Sequence, residues 1–282
     1  MLCFGVSNYL LAFGCSKIVK EIENIFLTNA NDASEISVST INQSVSLLAI
    51  SKSQRIIEIE DSKYFFQGWF QDHESRGIVL GGNGFKDWVK DGVNRELVMK
   101  TDYEGAYVSA IFSDEKLSVR NDTFSYLPVI HFSSKKLFVC SDSMYIISEV
   151  RKALGMPCKL NKKVMHSRAW THGLACAVMS NQTQIEGVEL LSPGKHIEID
   201  IQKKMFSSTY LLETKNIVKT TNLKQAFAIQ FENYQLAIRD AATRMAQSTL
   251  SLLDIDDVMI KFGLSGGLDS RVILAAVLQK PE

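Results

Sequence analysis

The hexapeptide Ser265-Gly266-Gly267-Leu268-Asp269-Ser270 follows a β-rich run, Val258 to Leu264, and precedes a helical run, Arg271 to Lys280. Strand, glycine loop and helix, in that order, commonly hold a nucleotide's phosphates. Gly266 and Gly267 lack Cβ atoms, so the backbone can turn sharply and bring its N–H groups against phosphate oxygens. A helix starting near Asp269 adds its unpaired N–H groups and the positive end of its dipole. Ser265 and Ser270 supply hydroxyl donors, and Asp269, which would repel a bare phosphate, makes sense with Mg²⁺ between the two. No Gly-Lys-Ser/Thr stands here, so this is not a Walker A loop, and no lysine reaches for a γ-phosphate. The loop suits a leaving pyrophosphate better than a transferred phosphoryl group. Arg271 reads either as a phosphate contact or as the first solvated residue of the helix.

The chain that must position this loop has 282 residues, enough for roughly two domains. Its 31 basic and 31 acidic residues cancel, so no basic field draws nucleic acid or an anionic membrane. The longest apolar stretches, Val45 to Ile50 and Val272 to Leu278, fall short of the ~18 residues of a membrane span. The five cysteines (Cys3, Cys15, Cys140, Cys158 and Cys176) are odd in number and form no C-x-x-C pair, which points to a reducing cytoplasm rather than a disulfide framework or zinc knuckle. The first lysine, Lys17, lies behind the apolar N-terminal segment, the reverse of a secretory signal. The histidines His73, His131, His166, His172 and His196 show no metal-ligand spacing.

Up to about Asp200, short apolar runs alternate in the period-two manner of half-buried strands. Strands are expected at Leu2 to Phe13, Tyr64 to Phe70, Ala106 to Phe112, Leu117 to Arg120, Leu137 to Cys140 and His196 to Ile201. Gly81-Gly82-Asn83-Gly84 reads as a hairpin turn, Ser192-Pro193-Gly194 as a structural turn, and the Asn-, Ser- and Thr-rich stretch Asn29 to Ser46 as an exposed loop. Helices are expected at Ser143 to Leu154, stopping at Gly155, and at Asn161 to His172, ending at Gly173. Helices on a mostly antiparallel sheet make an α+β domain. After Thr221 the character changes. Asn222 can cap a helix with core-type spacing at Leu223, Phe227, Tyr234, Ile238, Ala241 and Met245, which opens a second domain.

S-G-G-L-D-S after a strand resembles the pyrophosphate loop of the ATP-pyrophosphatase group, which includes asparagine synthetase, β-lactam synthetase and lasso-peptide cyclases. Five fixed letters at roughly 0.06 each make a chance occurrence in such a chain on the order of 10⁻⁴. Upstream, Asn121-Asp122-Thr123-Phe124-Ser125-Tyr126-Leu127-Pro128-Val129-Ile130 resembles the N-D-x-F-G-x-x-P-L-Y phrase of the glutamine-amidotransferase domain that precedes the loop in asparagine synthetase-like proteins. Cys140-Ser141-Asp142 resembles that family's A-S-E, and E-G-V-E-L-L-S-P-G-K-H-I-E-I-D, ending at Asp200, its K-G-I-x-x-L-P-P-G-x-x-x-x-x-D. The resemblance spans most of residues 60 to 282.

It implies an N-terminal-nucleophile-type (Ntn) αββα sandwich over residues 1–215. The start of a synthetase domain follows over residues 216–282: the first strand and flanking helices of an α/β adenine-nucleotide alpha-hydrolase-like fold, truncated. It implies ATP and Mg²⁺, with Leu264, Ser265, Gly266, Gly267, Leu268, Asp269 and Ser270 binding the nucleotide and Asp269 the metal. A small-molecule or peptide carboxylate would be activated as the acyl-adenylate and captured by ammonia or an amine. A C-terminal synthetase portion or a second copy of the chain is the partner such a fragment calls for, and the 282-residue chain alone is expected not to be competent.

Glutamine-hydrolysing members resembling this chain use an N-terminal cysteine whose own α-amine is the base. Here Cys3 lies behind Leu2, and the phrase N-G-E-I-Y-N of the glutamine site corresponds to Gln67-Gly68-Trp69-Phe70-Gln71, without its asparagine and glutamate. An arginine and a glycine are likewise missing at Thr123 and Ser125. Cys3 therefore reads as an apolar residue of the first strand, the alternative being a nucleophile revealed by unusual processing. The expected protein is an ATP-dependent amide-forming ligase with a non-hydrolytic amidotransferase-like half. The alternatives are a catalytically silent interaction module and, within the enzyme class, a β-lactam or lasso-peptide lactam synthetase.

Overall fold

In the computed structural model of the protein, residues 8–27, 35–51, 54–72, 78–90, 103, 105–113, 116–122, 124–169, 181–193, 195–200 and 205–210 are described. The chain divides into two units, residues 1–70 with 80–212 and residues 71–79 with 213–282; the described strands lie in the first except for Gln71 and residues 78–79.

Strand β1 (Tyr9–Cys15) is apolar from Tyr9 to Phe13 and buried throughout that run, with no polar alternation. Such a sequence suits a central strand covered on both faces. It pairs antiparallel with β3 (Val45–Ser51) on one side and β10 (Leu137–Ser141) on the other. With β2 (Glu35–Asn42), β9 (Ile130–Ser134) and β11 (Glu189–Leu190), they form a six-stranded sheet in the order β11-β9-β10-β1-β3-β2. The second sheet runs β13 (Met205–Tyr210), β12 (Lys195–Asp200), β8 (Lys116–Asn121), β7 (Gly105–Ser113), β5 (Ser62–Gln71) and β4 (Ile57–Ile59). A further short strand, β6 (Ile78–Leu80), precedes helix α2 (Gly81–Lys90).

The two sheets meet face to face. Tyr9, Leu11 and Phe13, with Leu47, Ala49, Phe138 and Cys140, pack in one apolar cluster with Phe65, Val108, Ala110, Phe112, Leu117, Val119, Ile197 and Ile199 of the second sheet. The alternate residues of β1, Leu10 and Ala12, turn the other way into a cluster with Val19, Ile22 and Phe26 of α1 (Ser16–Leu27) and Ile146, Ile147 and Val150 of α3 (Met144–Ala153). On the far face of the second sheet, α2 stacks Phe85 on Phe66 at 4.5 Å and sets Trp88 edge-on to Phe70 at 4.9 Å. Helix, sheet, sheet, helix is therefore the layering of this unit. Each fully buried Leu, Ile, Val or Phe contributes about 1.5–3 kcal/mol to it.

The strands expected at Tyr64 to Phe70, Ala106 to Phe112, Leu117 to Arg120 and Leu137 to Cys140 lie in β5, β7, β8 and β10, and the one expected at His196 to Ile201 lies in β12 as far as Asp200, Ile201 being outside the described residues. The first strand is described from Tyr9 onward. Helix α3 starts at the N-cap Ser143, whose hydroxyl accepts from the Ile146 N–H, and ends at Leu154, before Gly155 at φ +67°. The helix expected from Asn161 corresponds to α4 (Lys162–Ala169).

Two expectations are overturned. Gly81-Gly82-Asn83-Gly84 is the first turn of α2, not a hairpin. Gly81 enters at φ +61°, the Gly82 N–H donates to Gln54 Oε1 at 2.6 Å, and Phe85, Trp88 and Val89 bury one face. Side-chain capping and aromatic packing here outweigh the roughly 1 kcal/mol that each glycine costs a helix. Residues Asn29 to Ser46 are not a loop throughout, because β2 occupies Glu35–Asn42 and β3 starts at Val45. β2 is the edge of its sheet, ladder-bonded to β3 alone, so its exposed positions can carry Thr40 and Asn42, while the half-buried Ser37 and buried Ser39 hydrogen-bond to neighbouring segments.

His131 on β9 has no resemblance-derived role, yet it marks the pH range of the fold. Burial pushes its imidazole pKa down to about 4. An unfolded histidine takes up its proton near pH 6.5, so between these values the unfolded state binds more protons. The stability is whole above about pH 6.5, falls as the pH drops toward 4, and loses about 3 kcal/mol in all. Urea unfolding at pH 7.5 and 4.5 checks this: the difference between wild type and His131→Asn should grow in the mutant's favour at the lower pH.

Candidate functional site

The sequence places its candidate chemistry at Cys3, at Leu264 to Ser270 and at Asp269, and all of these lie outside the described residues. The upstream segments that carry the resemblance fall largely among the described residues, and the fold brings several of them to one end of the sandwich. Tyr9, at the head of β1, is in register with Ser51, and Leu10 with Ser141. Asn8 donates its backbone N–H to both carboxylate oxygens of Asp142, at 3.1 and 3.0 Å, and its amide Nδ2–H to Oδ2 at 2.6 Å. The Ser141 hydroxyl donates to the Tyr9 carbonyl at 2.8 Å and accepts from the Ser143 N–H. The Cys140-Ser141-Asp142 phrase thus clamps the start of the central strand and then passes directly into the cap of α3.

The Asn121–Leu127 phrase is held by a buried carboxylate. Asp122 accepts the N–H groups of Phe124 and Tyr126 on Oδ1, at 3.1 and 2.9 Å, and that of Leu127 on Oδ2 at 3.1 Å. Its own N–H donates to the Tyr107 carbonyl of β7. Ser125 stands at φ +56°, a left-handed conformation that costs a residue with a Cβ about 1–2 kcal/mol. At this position the resembling phrase has glycine. Here the Asn121 amide donates to the Ser125 hydroxyl at 2.7 Å and helps hold the turn. The Tyr9 hydroxyl ties β1 to the far side of the loop by donating to the Pro128 carbonyl at 2.9 Å.

Gln67-Gly68-Trp69-Phe70-Gln71 continues strand β5, in register with β7 from Gln67↔Val108 to Phe70↔Gly105. Gly68 sits at φ +108°, where a Cβ would collide with the Ala106 carbonyl. Phe70 joins the aromatic cluster with Trp88, Tyr103 and Tyr107, and Gln67 Oε1 accepts weakly from the Ser51 hydroxyl at 3.4 Å.

The reactive groups at this end are held in unreactive forms. Burial pushes the Cys140 thiol far above its ordinary range, so it stays protonated. Burial, then the neighbouring Cys140 and Asp142, do the same for the Tyr9 phenol. Ser141 is committed on both sides of its hydroxyl. What these groups do is fix the head of β1 and the two segments beside it. Sequence reasoning missed the Asn8–Asp142 clamp and the Asp122 staple, although Asp122 and Asp142 sit inside phrases that carry the resemblance. Their one signal is a short polar residue at the end of an apolar run.

Among the described residues no three His, Cys, Asp or Glu side chains are placed to share a metal ion, and no helix is long and apolar enough to cross a membrane. No family model and no curated protein matches the chain. Among solved structures it is similar to one described as the allosteric regulatory enzyme of purine biosynthesis, at 10% identity and a TM-score of 0.42, over 74% of this chain and 50% of that one. It is also similar to glutamine phosphoribosylpyrophosphate amidotransferase from B. subtilis complexed with ADP and GMP, at 9% identity and a TM-score of 0.39, over 74% and 50%. The chain spans about half the length of each.

Proposed function

We propose that this chain carries the amidotransferase-like half and the nucleotide loop of an ATP-dependent, amide-forming ligase of the asparagine synthetase type. The observation that carries the reading is the loop Ser265-Gly266-Gly267-Leu268-Asp269-Ser270 between a β-rich and a helical run. Backbone N–H groups and hydroxyls of Leu264 to Ser270 would cradle the pyrophosphate, and Asp269 would hold Mg²⁺, which supplies charge neutralisation on the phosphate oxygens. The substrate carboxylate attacks the α-phosphate and pyrophosphate leaves, and ammonia or an amine then attacks the acyl-adenylate, forming the amide and releasing AMP.

The N-terminal half acts in this reading as a scaffold without glutaminase activity. What supports this is the absence, at Gln67-Gly68-Trp69-Phe70-Gln71, of the asparagine and glutamate of the resembling glutamine-site phrase, and the unreactive state of Cys140, Ser141 and Tyr9 at the head of β1. Incubation of the purified protein with glutamine is expected to release no glutamate above the uncatalysed background. Turnover that disappears in Cys3→Ala would overturn the scaffold role. The second reading, a silent interaction module, is favoured by the same unreactive groups and differs in expecting no nucleotide chemistry at all.

A further inference from the structure

At one edge of the sandwich the space between the sheets changes character. The apolar cluster between the sheets is built of Leu, Val, Ile, Phe, Ala and Tyr with Cys140. At this edge they carry an imidazole, an acid and a base. His131 of β9 is in register with both Cys140 and Glu189, and Cys140 belongs to the apolar cluster between the sheets, so His131 and Glu189 share its face. Lys195 stands two residues before Ile197, which belongs to the same cluster, so it too turns toward the space between the sheets, from the opposite side.

These residues line a cavity of about 180 Å³, floored by Phe138, Leu191 and Ile197. That is below the roughly 300–1,000 Å³ that drug-sized ligands occupy, which sets the occupant at the size of a free amino acid. Ser133, Asn181 and Ser192 add hydroxyls and an amide to the wall. Asn181 donates to Glu189 Oε2 at 3.3 Å and so fixes that carboxylate at the rim. The His131 ring lies against Phe138, with centroids 5.8 Å apart. With its pKa pushed down to about 4 by burial, it is a neutral donor and acceptor near pH 7. The turn from Leu190 to Lys195, which carries the chain from one sheet to the other, is pinned by Leu191 N–H to the Val129 carbonyl and Lys195 N–H to the Ser192 carbonyl. Backbone bonds thus hold the turn at both of its ends.

An acid on one wall and a base on the other select against a ligand of single charge, because either ion meets one repelling partner. We propose that this cavity binds a small zwitterion of the α-amino acid class, its carboxylate toward Lys195, its ammonium toward Glu189, and its polar atoms within reach of the His131 ring. None of the residues that line the cavity is one on which the ligase reading rests, so the proposal is independent of that reading.

The test uses the whole chain, with glycine, L-glutamine and L-aspartate as zwitterionic probes and acetate and methylammonium as single-charge controls. Binding is read from the ¹⁵N and ¹H resonances of the His131 ring. The zwitterions are expected to shift these resonances saturably, with Kd on the order of 1 mM or tighter, and the controls to bind at least tenfold more weakly. Glu189→Gln is expected to weaken the best probe about tenfold, and Asn181→Ala to weaken it less, while Lys86→Met, remote from the cavity, leaves it unchanged. No saturable shift with any zwitterion would overturn the proposal. So would controls that bind as well as the zwitterions, or full affinity in the folded Glu189→Gln protein.

Discussion

Asp122→Ala should lower the stability of the protein by about 3–5 kcal/mol. The carboxylate is fully buried and accepts three backbone N–H groups, those of Phe124, Tyr126 and Leu127. A buried donor left without a partner costs about 1–3 kcal/mol, and a bond to a charged acceptor lies at the upper end of the range. The simple sum is larger than the expected loss because Phe124 and Tyr126 are themselves exposed, so part of the loop can turn its N–H groups to water. For a unit of this size the loss corresponds to a fall in Tm of roughly 10 °C. Asp122→Asn, which keeps the shape and one acceptor oxygen, should fall between the two. Urea unfolding of the three proteins measures this, and a loss under about 1 kcal/mol for the alanine variant would show that the loop does not depend on its staple.

The second large effect lies in the glycine loop. Asp269→Ala should weaken the Mg²⁺-dependent binding of ATP by at least roughly 100-fold, near 3 kcal/mol, while slightly strengthening the weak binding expected in excess chelator. The sign follows from charge in the proposed site: without Mg²⁺ the carboxylate would repel the phosphates, and with Mg²⁺ it would hold the ion that neutralises them. Titration calorimetry of both proteins, with and without Mg²⁺, separates these cases. Equal affinity of the two proteins for Mg·ATP would remove Asp269 from the site.

The strands that the sequence made legible are those whose two faces meet different surroundings or whose runs end at clear punctuation. β5, β7, β8, β10 and β12 carry alternating or dense β-branched and aromatic residues, and α3 has a serine cap at Ser143 and a glycine stop at Gly155. The failures have physical causes. α2 is nucleated by the side chain of Gln54, 28 residues upstream of Gly82, and by a ring stack on Phe66, neither of which local propensity contains. Its Phe85, Trp88, Val89 spacing was the available helical signal. β2 is polar because it is an edge strand, and its structure comes from the ladder to β3. α1 buries Val19, Ile22 and Phe26 with helical spacing, a signal masked by the apolar run of the strand directly before it.

At the candidate site, the phrases around Asp122 and Asp142 were legible as phrases, but not as the anchors they are, because their partners Asn8, Tyr107 and Tyr9 come from distant parts of the chain. The pocket between His131, Glu189 and Lys195 had no sequence signal, since the register of three strands and the turn between sheets create it.

Carboxylate-dependent exchange of labelled pyrophosphate into ATP, measured with the full-length natural gene product, tests the ligase reading most directly. The panel should include aspartate, amino-substituted carboxylates able to close a lactam, and peptide carboxylates. Exchange is expected with at least one of them, unaffected by glutamine and lost in Asp269→Ala. Folded protein that exchanges with no carboxylate would contradict it and leave the chain as a silent module of the same fold.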